Sequence, residues 1–60
     1  MSFKTGDKVM VVRNIPSESG MLYEGTKAKI DAIGFPDKDL RITDEMGKIW
    51  YVNYGDVEKL

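Results

Sequence analysis

The chain has neither cysteine nor histidine among its 60 residues. Those two gaps remove disulfides, thiolate nucleophiles, imidazole bases, Ser-His-Asp triads and Cys/His metal sites together. Long apolar runs are missing as well. None exceeds four residues, the length of Val9 to Val12, far short of the roughly 18 that suggest a membrane span. The opening Met1-Ser2-Phe3-Lys4-Thr5-Gly6 has no apolar signal-peptide stretch. A reducing cytoplasmic compartment and no membrane partner are therefore expected. Nor does one sign of charge dominate, since nine basic and ten acidic side chains leave a net charge of -1. No overall field draws in nucleic acid, although the first half of the chain has a small basic excess and the second an acidic one.

What remains is an apolar content of 42% in a chain of 60 residues, enough for one small domain over residues 1–60 with a modest core. Carboxylate pairs remain formally possible as catalytic groups. A domain this small offers no deep pocket in which to raise their pKa, so a non-enzymatic module without cofactor or metal is the expectation. The acidic cluster Asp37, Asp39, Asp44 and Glu45 fails the spacing of a calcium loop and reads as loop solubility.

Helical spacing is poor, because Gly or Pro interrupts each window of sufficient length. Alternation with a period of two is plentiful. In Asp7 to Arg13 it sets Val9 and Val11 on one face and Met10 and Val12 on the other. Thr26 to Ala32 places Thr26, Ala28, Ile30 and Ala32 inward and Lys27, Lys29 and Asp31 outward. After the Gly34-Phe35-Pro36-Asp37 connection, Leu40 and Ile42 point inward. The turn Asp44 to Gly47 then leads into Lys48 to Val52, which makes these two strands a hairpin. Trp50 shares a face with Val52 and, with Tyr54, is expected to supply much of the core. Tyr54 to Val57 reads as one 3₁₀ turn before a short closing strand, Glu58 to Leu60. The one long connection, Asn14 to Glu24, exceeds what a hairpin turn needs.

The stretches Gly6-Asp7-Lys8-Val9-Met10-Val11, Glu24-Gly25-Thr26-Lys27-Ala28-Lys29-Ile30 and Trp50-Tyr51-Val52 with Val57-Glu58-Lys59-Leu60 carry a resemblance. The chain resembles SH3-like barrels, among them KOW-type barrels, the small peripheral barrel subunit of photosystem I and short phage and bacterial proteins. The resemblance implies an all-β fold: a small five-stranded SH3-like barrel with a long first loop and a 3₁₀ turn before the last strand. Departures are informative too. The first loop has only Tyr23 as an aromatic, which removes the acidic-aromatic grip on proline-rich peptides. Lys27 stands where KOW-type barrels commonly place an apolar residue. The connection Asp44 to Gly47 is shorter than its counterpart in the photosystem subunit.

Two kinds of surface emerge. Met21, Tyr23, Phe35 and Tyr51 form an apolar patch for a protein partner if they stay exposed together, whereas the loop residues plug an end of the barrel if they fold back. Lys27, Lys29, Arg41, Lys48 and Tyr51 form an alternative basic-aromatic face for nucleic acid, or simply a solvated strand face. Docking on a larger protein is the leading expectation. Nucleic-acid binding is the alternative, and a structural subunit of a larger assembly the second. The chain itself is expected to be a monomer or a weak homo-oligomer.

Overall fold

Each alternating stretch becomes a strand because its apolar set needs cover on one side while its charged set keeps water on the other. The computed structural model describes residues 2–60. It is all-β: β1 (Lys8–Val11), β2 (Ile15–Ser17), β3 (Gly20–Leu22), β4 (Lys27–Ile33), β5 (Leu40–Asp44), β6 (Ile49–Val52), a 3₁₀ turn (Tyr54–Asp56) and β7 (Val57–Lys59). No helix among the described residues is long and apolar enough to cross a membrane.

Five strands pair antiparallel in the order β6-β5-β4-β1-β7, and β2 pairs with β3 alone. The inner face of the large sheet carries Val9, Val11, Ala28, Ile30, Leu40, Ile42, Trp50, Val52 and Val57, all buried, with Leu22 of the small hairpin joining them. Phe3 and Ile15 pack against this core from its margin. Between β5 and β6 the chain turns through Asp44 to Lys48. The Gly47 amide donates to the Asp44 carbonyl at 3.0 Å and the Asp44 amide to the Lys48 carbonyl at 2.9 Å. Gly47 sits at φ 84°, the left-handed conformation that a three-residue hairpin loop requires at its last position.

Four sequence expectations need correction. The sheet does not close into a barrel, because no hydrogen-bonded ladder joins β6 to β7. The hairpin supplies the missing cover instead by pressing Leu22 into the core. The long connection is that hairpin rather than an irregular loop; Ile15, Pro16 and Ser17 face Leu22, Met21 and Gly20. Ser17 Oγ donates to the Gly20 carbonyl at 2.7 Å and fixes its tip. Ala32 does not face inward. A register shift between Ile30 and Ala32 leaves Asp31 as the extra residue and sets Ala32 beside Arg41, as a β-bulge does. Tyr54, finally, lies outside the core, 44% exposed and stacked on Phe3 at 5.5 Å. Trp50 occupies the interior without it, 7% exposed.

Candidate docking face

Strand pairing brings the outward residues of five strands onto one surface. Lys8, Lys29, Thr43 and Ile49 form a continuous cross-strand row, and Ala32, Arg41 and Tyr51 form the next. Met10 pairs with Lys27. Phe35, from the connection between β4 and β5, folds back onto the second row. Its ring meets Tyr51 edge to face at 5.3 Å, and the Arg41 guanidinium carbon lies 5.8 Å from its centroid. These are the spacings of favourable aromatic and cation–π contacts. Arg41 Nε is enclosed there with no hydrogen-bond partner. Tyr51 and Ile49 remain about half exposed, at 49% and 51%.

Beside this cluster runs an open groove of about 520 Å³, whose basic lining is Lys8, Lys27 and Lys29. Asp31, Asp44 and Glu45 also border it. None of the three lysines is in an ion pair among the described residues; the ion pairs found there are Arg13 with Asp56 and Lys59 with Asp7. Asp31 accepts a hydrogen bond from Thr43 Oγ1, which ties it to the sheet.

The expected apolar patch is divided. Phe35 and Tyr51 touch on the outer face. Met21 and Tyr23, although exposed at 40% and 63%, flank buried Leu22 on the hairpin that covers the inner face. The basic set separates as well. Lys27, Lys29, Arg41 and Tyr51 share the outer face, but Lys48 belongs to the inner side with Trp50. Its ammonium lies 4.3 Å from the indole centroid and donates to the Ser19 carbonyl at 2.6 Å. Parity with Trp50, opposite to that of Ile49 and Tyr51, is the sequence signal for this placement. Lys8 joins the face unannounced. The pattern Lys8-Val9-Met10-Val11 points it outward, but only the pairing with Lys29 brings it to the groove.

At the rim of the groove, Asp44 is consumed by structure. Its Oδ2 accepts the Trp50 indole N–H at 2.9 Å, and its Oδ1 accepts the amides of Met46 and Lys48 at 2.9 and 3.0 Å. The indole hydrogen bond leads in lowering the Asp44 pKa below its ordinary 3.8, with the backbone donors and the Lys48 charge adding to it against the opposing effect of burial. A carboxyl whose folded pKa is depressed contributes stability that is present above its unfolded pKa and is lost as pH falls through the folded value. Asp44→Asn is therefore expected to lower the urea midpoint at neutral pH and to narrow the gap to wild type below about pH 4, where the unfolded carboxyl protonates. A variant that tracks the wild type in parallel across that range contradicts this role. Asp39 is similarly committed, accepting the Tyr54 amide at 3.0 Å. Among the described residues no group of three or more acidic side chains is placed to hold a metal ion.

Comparison with known proteins finds no family, no curated protein and no solved structure that matches the chain.

Proposed function

We propose that this chain is a non-enzymatic protein-interaction module of a phage or bacterial cytoplasm, docking on a larger protein through the outer face of its sheet. The observation that carries the reading is the Phe35–Tyr51–Arg41 cluster. An edge-to-face aromatic pair with a guanidinium beside it is ordered before any partner arrives, so little side-chain freedom is lost on binding. Tyr and Arg are also the residue types that dominate binding energy at protein interfaces. The positive charge of Arg41, set against the Phe35 ring, favours a partner that brings a carboxylate to this spot. Met21 and Tyr23 on the hairpin offer a second, separate contact. The SH3-like reading of the fold draws support from the strand order, in which β7 returns beside β1 after the 3₁₀ turn.

Affinity capture from a native host lysate tests this. Wild-type protein is expected to retain a partner that Phe35→Ala and Arg41→Ala each lose by about 30-fold in affinity, the equivalent of a hot-spot residue of about 2 kcal/mol. Their unfolding midpoints should stay near wild type. Retention by both variants, or a collapse in stability equal to the loss of capture, overturns the docking role.

The unpaired lysines of the groove favour nucleic acid as the second reading. Phosphates would lie along Lys8, Lys27 and Lys29 while a base stacks on Tyr51. Single-stranded RNA or DNA should then bind at ~50 mM salt and be released steeply as salt rises, with Lys27→Glu and Lys29→Glu abolishing retention. Absence of binding at that salt removes this reading.

A further inference from the structure

The two ends of the large sheet are finished differently. At one end β7 has three residues, its first amide is tied to the Tyr54 carbonyl, and Lys59 sits there with a partner in Asp7 at 3.5 Å. Short length and charge are the usual devices that stop a sheet edge from pairing with another chain. At the other end β6 has four residues and no charged side chain among them. The Asp44 amide bonds to the Lys48 carbonyl, and hydrogen-bonded and non-hydrogen-bonded pairs alternate from there. Trp50 and Val52 therefore direct their backbone groups at Ile42 and Leu40, whereas Ile49 and Tyr51 turn theirs to the free edge. Among the described residues no N–H or C=O of Ile49 or Tyr51 finds a partner. Lys48 does not guard this edge, because its ammonium is drawn to the Ser19 carbonyl on the inner side.

We propose that this edge is occupied by β6 of a second copy of the chain, antiparallel about a two-fold axis through Trp50. The pattern of exposed residues is what selects a copy of itself. With the axis at Trp50, Ile49 of each copy lies opposite Tyr51 of the other, and the four outward backbone groups of each copy meet their complements. A β-branched residue opposite an aromatic one is a favourable cross-strand pair. Beyond the strand ends the same register brings Met46 of one copy, 91% exposed, toward Tyr54 of the other, 44% exposed. Four of the exposed apolar side chains are thus matched two by two. Lys48 falls opposite Val52, so no like charges oppose one another in the pair. Two five-stranded sheets become one sheet of about ten strands, with both outer faces on the same side. The dimer does not depend on the docking role: neither Phe35 nor Arg41 lies on β6, so Phe35→Ala and Arg41→Ala are expected to keep the backbone ladder between the two copies.

Sedimentation equilibrium over a series from micromolar to millimolar chain tests the proposal. The apparent mass is expected to rise from 6.8 kDa toward twice that value, and exchange of the Ile49 and Tyr51 amides to slow in step. Ile49→Lys alone and Tyr51→Glu alone should each weaken association at least tenfold. The double variant Ile49→Lys/Tyr51→Glu should recover it, since each new lysine then faces a new glutamate across the axis. Both positions are exposed, so a urea midpoint close to wild type verifies the fold of every variant. A chain that stays monomeric overturns the proposal, as does an association that neither single variant weakens or that the double variant fails to restore.

Discussion

Trp50→Ala is expected to leave the chain unfolded in water. The indole is the largest side chain of the core and is 7% exposed; truncating a buried Trp to Ala costs about 3–5 kcal/mol. A single core in a chain of this size rarely supplies more than about 3–5 kcal/mol in total. The deletion is therefore as large as the stability it draws on. Further losses accompany it: Asp44 Oδ2 loses the indole N–H, and the Lys48 ammonium loses the ring beneath it. Trp50→Phe separates packing from polarity. It keeps most of the buried ring and gives up the hydrogen bond to Asp44, worth about 2 kcal/mol for a charged acceptor. Far-UV circular dichroism and urea titration read both variants. A cooperative transition in Trp50→Ala with a midpoint near wild type contradicts a core organised around the indole.

How much of this fold the chain announces depends on whether a residue's role is local. Val9, Val11, Ala28, Ile30, Leu40, Ile42 and Val52 stand inward by simple alternation, and all are buried. The turn at Asp44 to Gly47 is equally local, since one glycine with positive φ defines it. The hairpin of β2 and β3 is not. Three residues a side give too short a window for any period, and Pro16 inside one side argues against a strand. It forms because an open sheet needs Leu22 over its core. The bulge at Asp31 has no glycine to mark it, and the alternation of Thr26 to Ala32 reads through it unbroken.

The face follows the same division. Parity places Lys27, Lys29, Arg41 and Tyr51 outward, and there they lie. Which of them touch is a matter of register between strands distant in sequence, which alternation does not encode. Phe35 reaches Tyr51 only because its connection bends back over the sheet. Lys48 leaves the basic set because it shares the parity of Trp50, and its contacts with the indole and with the Ser19 carbonyl, 29 residues away, hold it on that side. Met21 and Tyr23 part from the aromatic pair because their hairpin covers the opposite side.

Arg13→Ala is expected to destabilise the chain by about 2 kcal/mol, less than the cost of breaking a fully buried ion pair from one side, because only the carboxylate of this pair is buried. The pair is lopsided. The Asp56 side chain is 4% exposed and that of Arg13 65%, so the carboxylate depends on the guanidinium far more than the reverse. Arg13 Nε donates to Asp56 Oδ1 at 2.8 Å, and Nη2 reaches the same oxygen. The other oxygen accepts the Asn53 amide at 2.9 Å and closes the 3₁₀ turn. Without Arg13, Oδ1 is left charged, buried and unpartnered. Asp56→Asn by itself should cost less, because the guanidinium it releases is already in water and the amide oxygen can still accept from Asn53. In the double variant Arg13→Ala/Asp56→Asn the stranded charge is gone, so part of the loss should return and the two single effects should not add. Urea midpoints of the four proteins give this coupling directly. A double variant no more stable than Arg13→Ala would show that the arginine acts by covering the turn with its stem rather than by holding a buried carboxylate.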